Sequence, residues 1–145
     1  MEAERRQVTV LFADMVGFTS FSERSGEEGA FTLMHSLSKL MDEAVREQGG
    51  VVRGFTDDGI MAVFGVRVAL EDAPLRACRA ALGILQRLKE TGPDIEAKHG
   101  VRPQLRSVVG KVEESADAGV TVLGDTVNFA ARLQTLAEPD TIGWV

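Results

Sequence analysis

Apolar positions along the chain fall into alternating short and long runs. Gln7 to Phe12, read QVTVLF, is rich in β-branched and aromatic residues, which predicts a buried strand ending at Ala13 and Asp14. After Gly17, Phe18 to Arg24 suits a short helix. Glu27 to Gln48 suits a longer one, with Phe31, Met34, Leu37, Met41 and Val45 spaced three and four apart as an apolar stripe. Gly49 and Gly50 supply its stop. Val51 to Phe55 and Ile60 to Phe64 read as strands joined by the polar turn Thr56, Asp57, Asp58 and Gly59. Asp72 followed by Pro74 starts a helix with Leu75, Cys78, Leu82, Leu85 and Leu88 inward, ending near Thr91, Gly92 and Pro93. Val101 to Val112 holds a further strand and Gly119 to Leu123 another. Asp125 to Leu136 forms the last helix, with Val127, Ala131 and Leu136 inward.

Strand, helices, hairpin, helix, strand and helix in this order predict an α/β sandwich of the ferredoxin-like kind. Its central sheet is mostly antiparallel and its helices are packed on it. A length of 145 residues with no repeat or linker predicts a single domain over 1–145. Composition narrows the chemistry. The hydrophobic share is 44% and the charged share 26%, as in an ordered globular protein. The net charge of -6 disfavours a non-specific nucleic-acid binder, which must neutralise phosphates. No apolar run approaches the roughly 20 residues of a membrane-spanning helix, and the charged start lacks the apolar core of a secretory signal. A cytoplasmic location without membrane insertion is therefore expected. Cys78 is the one cysteine, and His35 and His99 are the two histidines. Any metal site must then rest on oxygen ligands, which favours magnesium, manganese or calcium over zinc.

The chemistry-bearing residues gather around two aspartates. Asp14 ends the first strand and Asp58 sits in the hairpin, and the predicted fold lays that strand beside that hairpin. Paired carboxylates with nearby backbone oxygens, Met15 being next to Asp14, are hard-cation ligands, and magnesium there keeps substrate phosphate among its other ligands. The segment Gly17, Phe18, Thr19 enters a helix whose N–H groups and dipole can hold a polyphosphate. On spacing alone, an aspartate beside a glycine is more often a turn or helix cap than a ligand.

Three segments resolve this further. VTVLFADMVGFTSFSE (Val8 to Glu23), FTDDGIMAVFG (Phe55 to Gly65) and VLGDTVNFAARL (Val122 to Leu133) resemble, in order, the three signature blocks of class III adenylate and guanylate cyclase catalytic domains. The stretch ALEDAPLRACRAAL between the second and third resembles the bacterial branch. The resemblance implies a ferredoxin-like fold, a head-to-tail homodimer and conversion of a nucleoside triphosphate to a 3′,5′-cyclic monophosphate and pyrophosphate. It implies two divalent cations, Mg2+ or Mn2+, at Asp14 and Asp58. Asn128 matches the asparagine that orients the ribose, and Arg132, one helical turn later, matches the arginine that stabilises the transition state. Both act on a nucleotide whose metals the other protomer holds.

The chain departs from the pattern at four places. Gly54 stands where adenylate cyclases carry a base-selecting lysine, with Arg53 beside it. Thr121 stands where they carry an aspartate, and resembles a subgroup often stimulated by bicarbonate, most of whose members make cyclic AMP. ATP is accordingly favoured over GTP. Asp57 replaces the usual glycine before the second metal aspartate. Around Gln104 to Lys111 several residues of the family pattern are absent between Arg106 and Val108, read as an omitted stretch rather than a lost central strand. The chain also stops at Val145, before the family's second phosphate-binding lysine, so the expected domain is shortened at its C-terminus, with regulatory domains attached elsewhere in a longer protein. The alternative expectation is a catalytically weak or inactive cyclase-homology module that binds nucleotide or dimerises to regulate attached domains. A diguanylate cyclase is disfavoured, because its GGDEF-like turn is not found.

Overall fold

The structure is a computed structural model and describes residues 5–65, 72–115 and 142–144. Strand β1 (Arg5–Met15) leads into helix α1 (Phe18–Glu47), then the hairpin of β2 (Val51–Phe55) and β3 (Gly59–Phe64). Helix α2 (Ala73–His99), β4 (Leu105–Ser115) and the short β5 (Ile142–Trp144) follow. The sheet order is β2-β3-β1-β4-β5, with every pair antiparallel except β4 and β5. Its first four strands form the expected ferredoxin-like arrangement, two strand–helix–strand units interleaved so that β1 and β3 share the centre.

Alternation along β1 divides its side chains between the two faces of the sheet. Leu11, Ala13 and Met15 pack with α1 and α2 in the main core, whereas Val8 and Val10 cluster with Val63, Phe12, Val51 and Met61 on the other face. Asp14 shares the parity of Phe12 and belongs to this second face. β1 extends to Met15, past the expected stop at Asp14, because both its edges are paired to the end: Asp14 lies opposite Gly59 on β3 and Arg106 on β4.

Helix α1 contains the two expected segments, joined at Gly26, whose φ of 77° breaks the helical path. Its buried stripe runs Ala30, Leu33, Met34, Leu37, Leu40, Met41, Ala44 and Val45. Phe31, expected inward, is 73% exposed. Helix α2 differs more. Ala73, Ala77, Ala80, Ala81, Ile84 and Leu88 face the core, while Leu75 and Leu82 face outward. Small alanines let this helix lie close to the sheet and to α1, and that geometry outweighs the larger transfer energy of the leucines. The helix also passes through Gly92 and Pro93 instead of stopping there, since Ile95, a turn further on, still finds the core. Gly92 leaves room for the Arg102 guanidinium, whose Nε would stand 2.6 Å from a β-carbon there.

β4 pairs with β1 residue for residue from Leu105 to Ser115, so Arg106, Ser107 and Val108 are consecutive positions of an uninterrupted inner strand. The expected strand at Gly119 to Leu123 and the helix at Asp125 to Leu136 lie outside the described residues.

Candidate functional site

The end of β1, the β2–β3 turn and the start of α1 meet at one corner of the sheet. The Met15 backbone N–H donates to the Asp58 carbonyl at 2.8 Å, and the Val16 N–H donates to the Gln104 carbonyl at 2.9 Å. These two bonds fasten the end of β1 to the hairpin turn on one side and to the approach of β4 on the other. Gly59 makes the first contact so close, since a β-carbon there would lie 2.7 Å from Asp14 Cα and closer still to the Ala13 carbonyl oxygen. Asp58, immediately before Gly59, is thereby carried against the end of β1 beside Asp14.

The turn is tied internally as well. Thr56 N–H donates to the Gly59 carbonyl at 2.9 Å, and the Thr56 hydroxyl donates to Asp58 Oδ1 at 3.0 Å. Asp58 is half-buried and Asp57 is exposed. Asp14 is 19% exposed, and its Oδ1 lies 3.6 Å from the Nε of Arg106, itself 20% exposed. Met15 has its side chain buried in the helix-side core, so any part it takes at the corner falls to its backbone.

Gly17 turns the chain from β1 into α1 with φ 71°, a left-handed conformation that glycine adopts without steric cost. It leaves the helix N-terminus opening beside the corner, with no acidic residue in the first turn. Its uncapped N–H groups and the positive end of the helix dipole are open to an anion. Phe18 packs against the main core and anchors this turn, while Thr19 is exposed. A groove of 760 Å³ between α1 and the hairpin borders the corner at Phe18, Thr56 and Asp57 without including Asp14 or Asp58.

Gly54 lies on β2 opposite Met61 on the second face, and a β-carbon there would meet nothing within 4 Å. Thr121, Asn128 and Arg132 lie outside the described residues. Arg106 is the residue that sequence reasoning left out of the site. Its signal is the register: in a β1–β4 pair it is the position opposite Asp14, and one residue of slip would aim it at the core.

Among the described residues no cluster of three or more histidine, cysteine or acidic side chains is poised for a metal. Two carboxylates with neighbouring backbone carbonyls are an all-oxygen set that fits a hard cation sharing its shell with phosphate and water, and does not fit zinc. The corner thus offers acidic donors, one guanidinium and a helix N-terminus, the complement of a metal-bound polyphosphate.

Comparison with known proteins decides the family. The family described as adenylate and guanylate cyclase catalytic domain matches residues 1–144. The chain belongs to this cyclase family. Adenylate cyclase 1 of Rhizobium meliloti is 30% identical over 140 residues, covering 91% of this chain and 21% of that protein. The solved adenylyl cyclase CyaB of P. aeruginosa superposes with a TM-score of 0.85 at 24% identity, covering 98% of this chain and 78% of that one. An adenylate/guanylate cyclase/hydrolase from Silicibacter pomeroyi is 31% identical with a TM-score of 0.66, covering 97% and 75%. The chain spans about a fifth of the length of the Rhizobium relative, 21%. Among the described residues of this cyclase domain, no helix is long and apolar enough to cross a membrane.

Proposed function

We propose that this cyclase domain converts ATP to 3′,5′-cyclic AMP and pyrophosphate at a site shared by two copies arranged head to tail. The observation that carries the reading is the corner itself, where Asp14 and Asp58 are fastened side by side between Arg106 and the N-terminus of α1. The name of the Rhizobium relative supports ATP, and that of the Silicibacter protein admits both purine nucleotides.

Asp14 and Asp58, with the Met15 backbone beside them, would hold two magnesium or manganese ions. Such ions supply charge neutralisation on the triphosphate and ease ionisation of the ribose 3′-hydroxyl. The chain's own groups do the rest. The N–H groups of Gly17, Phe18 and Thr19 bind phosphate oxygens at the head of α1. Arg106 stands ready to exchange its contact with Asp14 for one with phosphate. Asn128 of the second copy orients the ribose, and Arg132 of that copy meets the charge that develops as the reaction proceeds. The 3′-oxygen forms a bond to the α-phosphorus, and the bond from that phosphorus to the bridging oxygen of the β-phosphate breaks. Pyrophosphate leaves with that electron pair, and the hydroxyl proton passes to solvent.

Gly54 and Thr121 lie at base-selecting positions in this reading. Cytoplasmic nucleotide is the substrate pool, the product is an intracellular signal, and regulatory input comes from segments attached to the cyclase domain. Incubation with manganese and ATP or GTP, followed by mass spectrometry, tests the activity. Cyclic product is expected, and Asp58→Ala should abolish it while keeping the fold. Mixed Asp58→Ala and Arg132→Ala chains should recover one working site per heterodimer. Absence of product from the parent dimer would replace this reading with a nucleotide-binding regulatory module, and absence of recovery in verified heterodimers would refute the shared site.

A further inference from the structure

Asp58 is held at two points. Its backbone carbonyl accepts from the Met15 N–H at 2.8 Å, and one oxygen of its carboxylate, Oδ1, accepts from the Thr56 hydroxyl at 3.0 Å. The hydroxyl bond is not what closes the turn. That closure belongs to the Thr56 N–H, which donates to the Gly59 carbonyl at 2.9 Å. In the turns that threonine and aspartate ordinarily stabilise, the side chain bonds a backbone group. Here a side chain bonds a side chain two residues on, and what it fixes is the direction of a carboxylate.

Thr56 is suited to that task. Branching at its β-carbon restricts the hydroxyl to few rotamers, and the closed turn fixes the backbone beneath it, so little freedom is lost when hydroxyl meets carboxylate. The bond is exposed, so water competes for both partners and its share in folding is small. Its effect falls on Asp58. An ionised carboxylate only accepts, and with Oδ1 engaged by a donor it is Oδ2 that remains for a cation. Hard cations differ in what they ask of such a group. Magnesium is small and demands a near-ideal octahedron, which the narrow bite of a two-oxygen carboxylate distorts. Calcium is larger, gathers about 6–8 oxygens in flexible geometry and accepts a carboxylate through both of its oxygens.

We propose that Thr56 is a positioning residue that makes Asp58 a one-oxygen ligand and so biases the corner toward magnesium and manganese over calcium; this rests on the metal-binding role of Asp14 and Asp58 proposed above. Hydrogen bonds to ligating carboxylates orient them, and losing one costs about 10–100-fold in metal affinity. Without the hydroxyl, Asp58 turns freely. Magnesium then loses an oriented ligand, whereas calcium gains access to both oxygens and loses less.

The test uses the whole chain without nucleotide, so that every bound ion is held by the protein. Mn2+ is titrated in and followed by the fall of its free-ion electron paramagnetic resonance signal, then displaced with Mg2+ or with Ca2+; cyclic product is assayed in parallel with nucleotide added. Thr56→Val keeps the shape and removes the hydroxyl. It should weaken Mg2+ by about tenfold or more and raise the affinity for Ca2+ relative to Mg2+ by at least roughly fivefold. Thr56→Ser keeps the hydroxyl and should hold the parent ratio, and Thr56→Ala replaces the valine variant if that one does not fold. A merely structural role would move the melting temperature in chelator and leave the ratio alone. An unchanged ratio in the folded variant lacking the hydroxyl overturns the proposal, as does Mn2+ binding that Asp58→Ala leaves intact, or a parent chain that binds no Mn2+. A shifted ratio in a chain that makes no cyclic product upholds Thr56 and removes the cyclase activity instead.

Discussion

Gly59→Ala is the substitution that most directly probes how the corner is built. The new β-carbon would lie 2.7 Å from Asp14 Cα and 2.9 Å from the Ala13 carbonyl carbon, inside the 3.0 Å that real β-carbons respect. Both obstacles are backbone of a central strand, so neither can rotate away, and β1 and β3 must part locally. Overpacking of this kind costs about 1–3 kcal/mol. The Met15 N–H to Asp58 carbonyl bond, at 2.8 Å, is the first to stretch, and its loss adds about 1 kcal/mol. Together these come to about 2–4 kcal/mol, or a fall of about 6–12 °C in the thermal midpoint for a domain of this size. Turnover should drop further than stability, since a displacement near 1 Å at reacting groups costs on the order of a hundredfold. Gly54→Ala is the control, because its β-carbon meets nothing within 4 Å and its melting should stay within about 0.5 kcal/mol of the parent. Calorimetry of both variants beside the parent is the assay. If Gly59→Ala melts together with Gly54→Ala, the close approach does not fasten the corner and the reasoning fails.

Three further outcomes can be checked. Leu37, fully buried, should cost about 2–5 kcal/mol as Leu37→Ala, whereas Phe31→Ala, at a position 73% exposed, should stay within about 0.5 kcal/mol; urea unfolding that ranked them equal would contradict the assigned face of α1. Burial, aided by the Lys98 ammonium, lowers the His99 pKa from its ordinary 6.5. The folded chain then binds fewer protons than the unfolded one between the lowered value and 6.5, so stability is full above that window and declines as pH falls through it. His99→Gln should flatten this slope in melts across about pH 5 to 7.5, and an unaltered slope would assign it to other groups. Arg106→Ala removes the cation 3.6 Å from Asp14 and should raise the KM for nucleotide; an unchanged KM would show that Arg106 serves Asp14 alone.

The four strands of the ferredoxin-like core and both long helices were legible because their patterns are strongly periodic, and the turn from Thr56 to Gly59 was legible from its residues. The phase of α2 was not. Leu75 and Leu82 extend a plausible stripe by hydropathy with Cys78, which does pack against the core, but both leucines face outward and the helix packs mainly through Ala77, Ala80 and Ala81, a choice made by the distance between layers rather than by the side chain's own transfer energy. Its passage through Pro93 was equally hidden, because a proline's local cost is visible in sequence while the pull of Ile95 into the core is tertiary. Phe31 shows the same limit on α1: one residue of rotation separates it from Ala30, which is buried.

The corner was legible as two aspartates and a glycine-led helix, yet its electrostatics were not, for a reason that lies in the register. Arg106 reaches Asp14 only because β4 runs beside β1 from Leu105 without a slip. Gly54 faces Met61 only because β2 slips against β3, between Val52 and Gly54. One regular pairing and one irregular pairing thus decide what stands opposite what on this face, and neither can be read from the spacing of either strand alone. A bulge costs a ladder bond and bends its strand, so straightening this pairing should not weaken the hairpin. Removing the bulge by deleting Arg53 should then restore straight pairing of β2 with β3 and hold or raise the melting temperature. A deletion that unfolds the hairpin, seen as lost amide protection along β3, would show instead that the sheet requires the bulge.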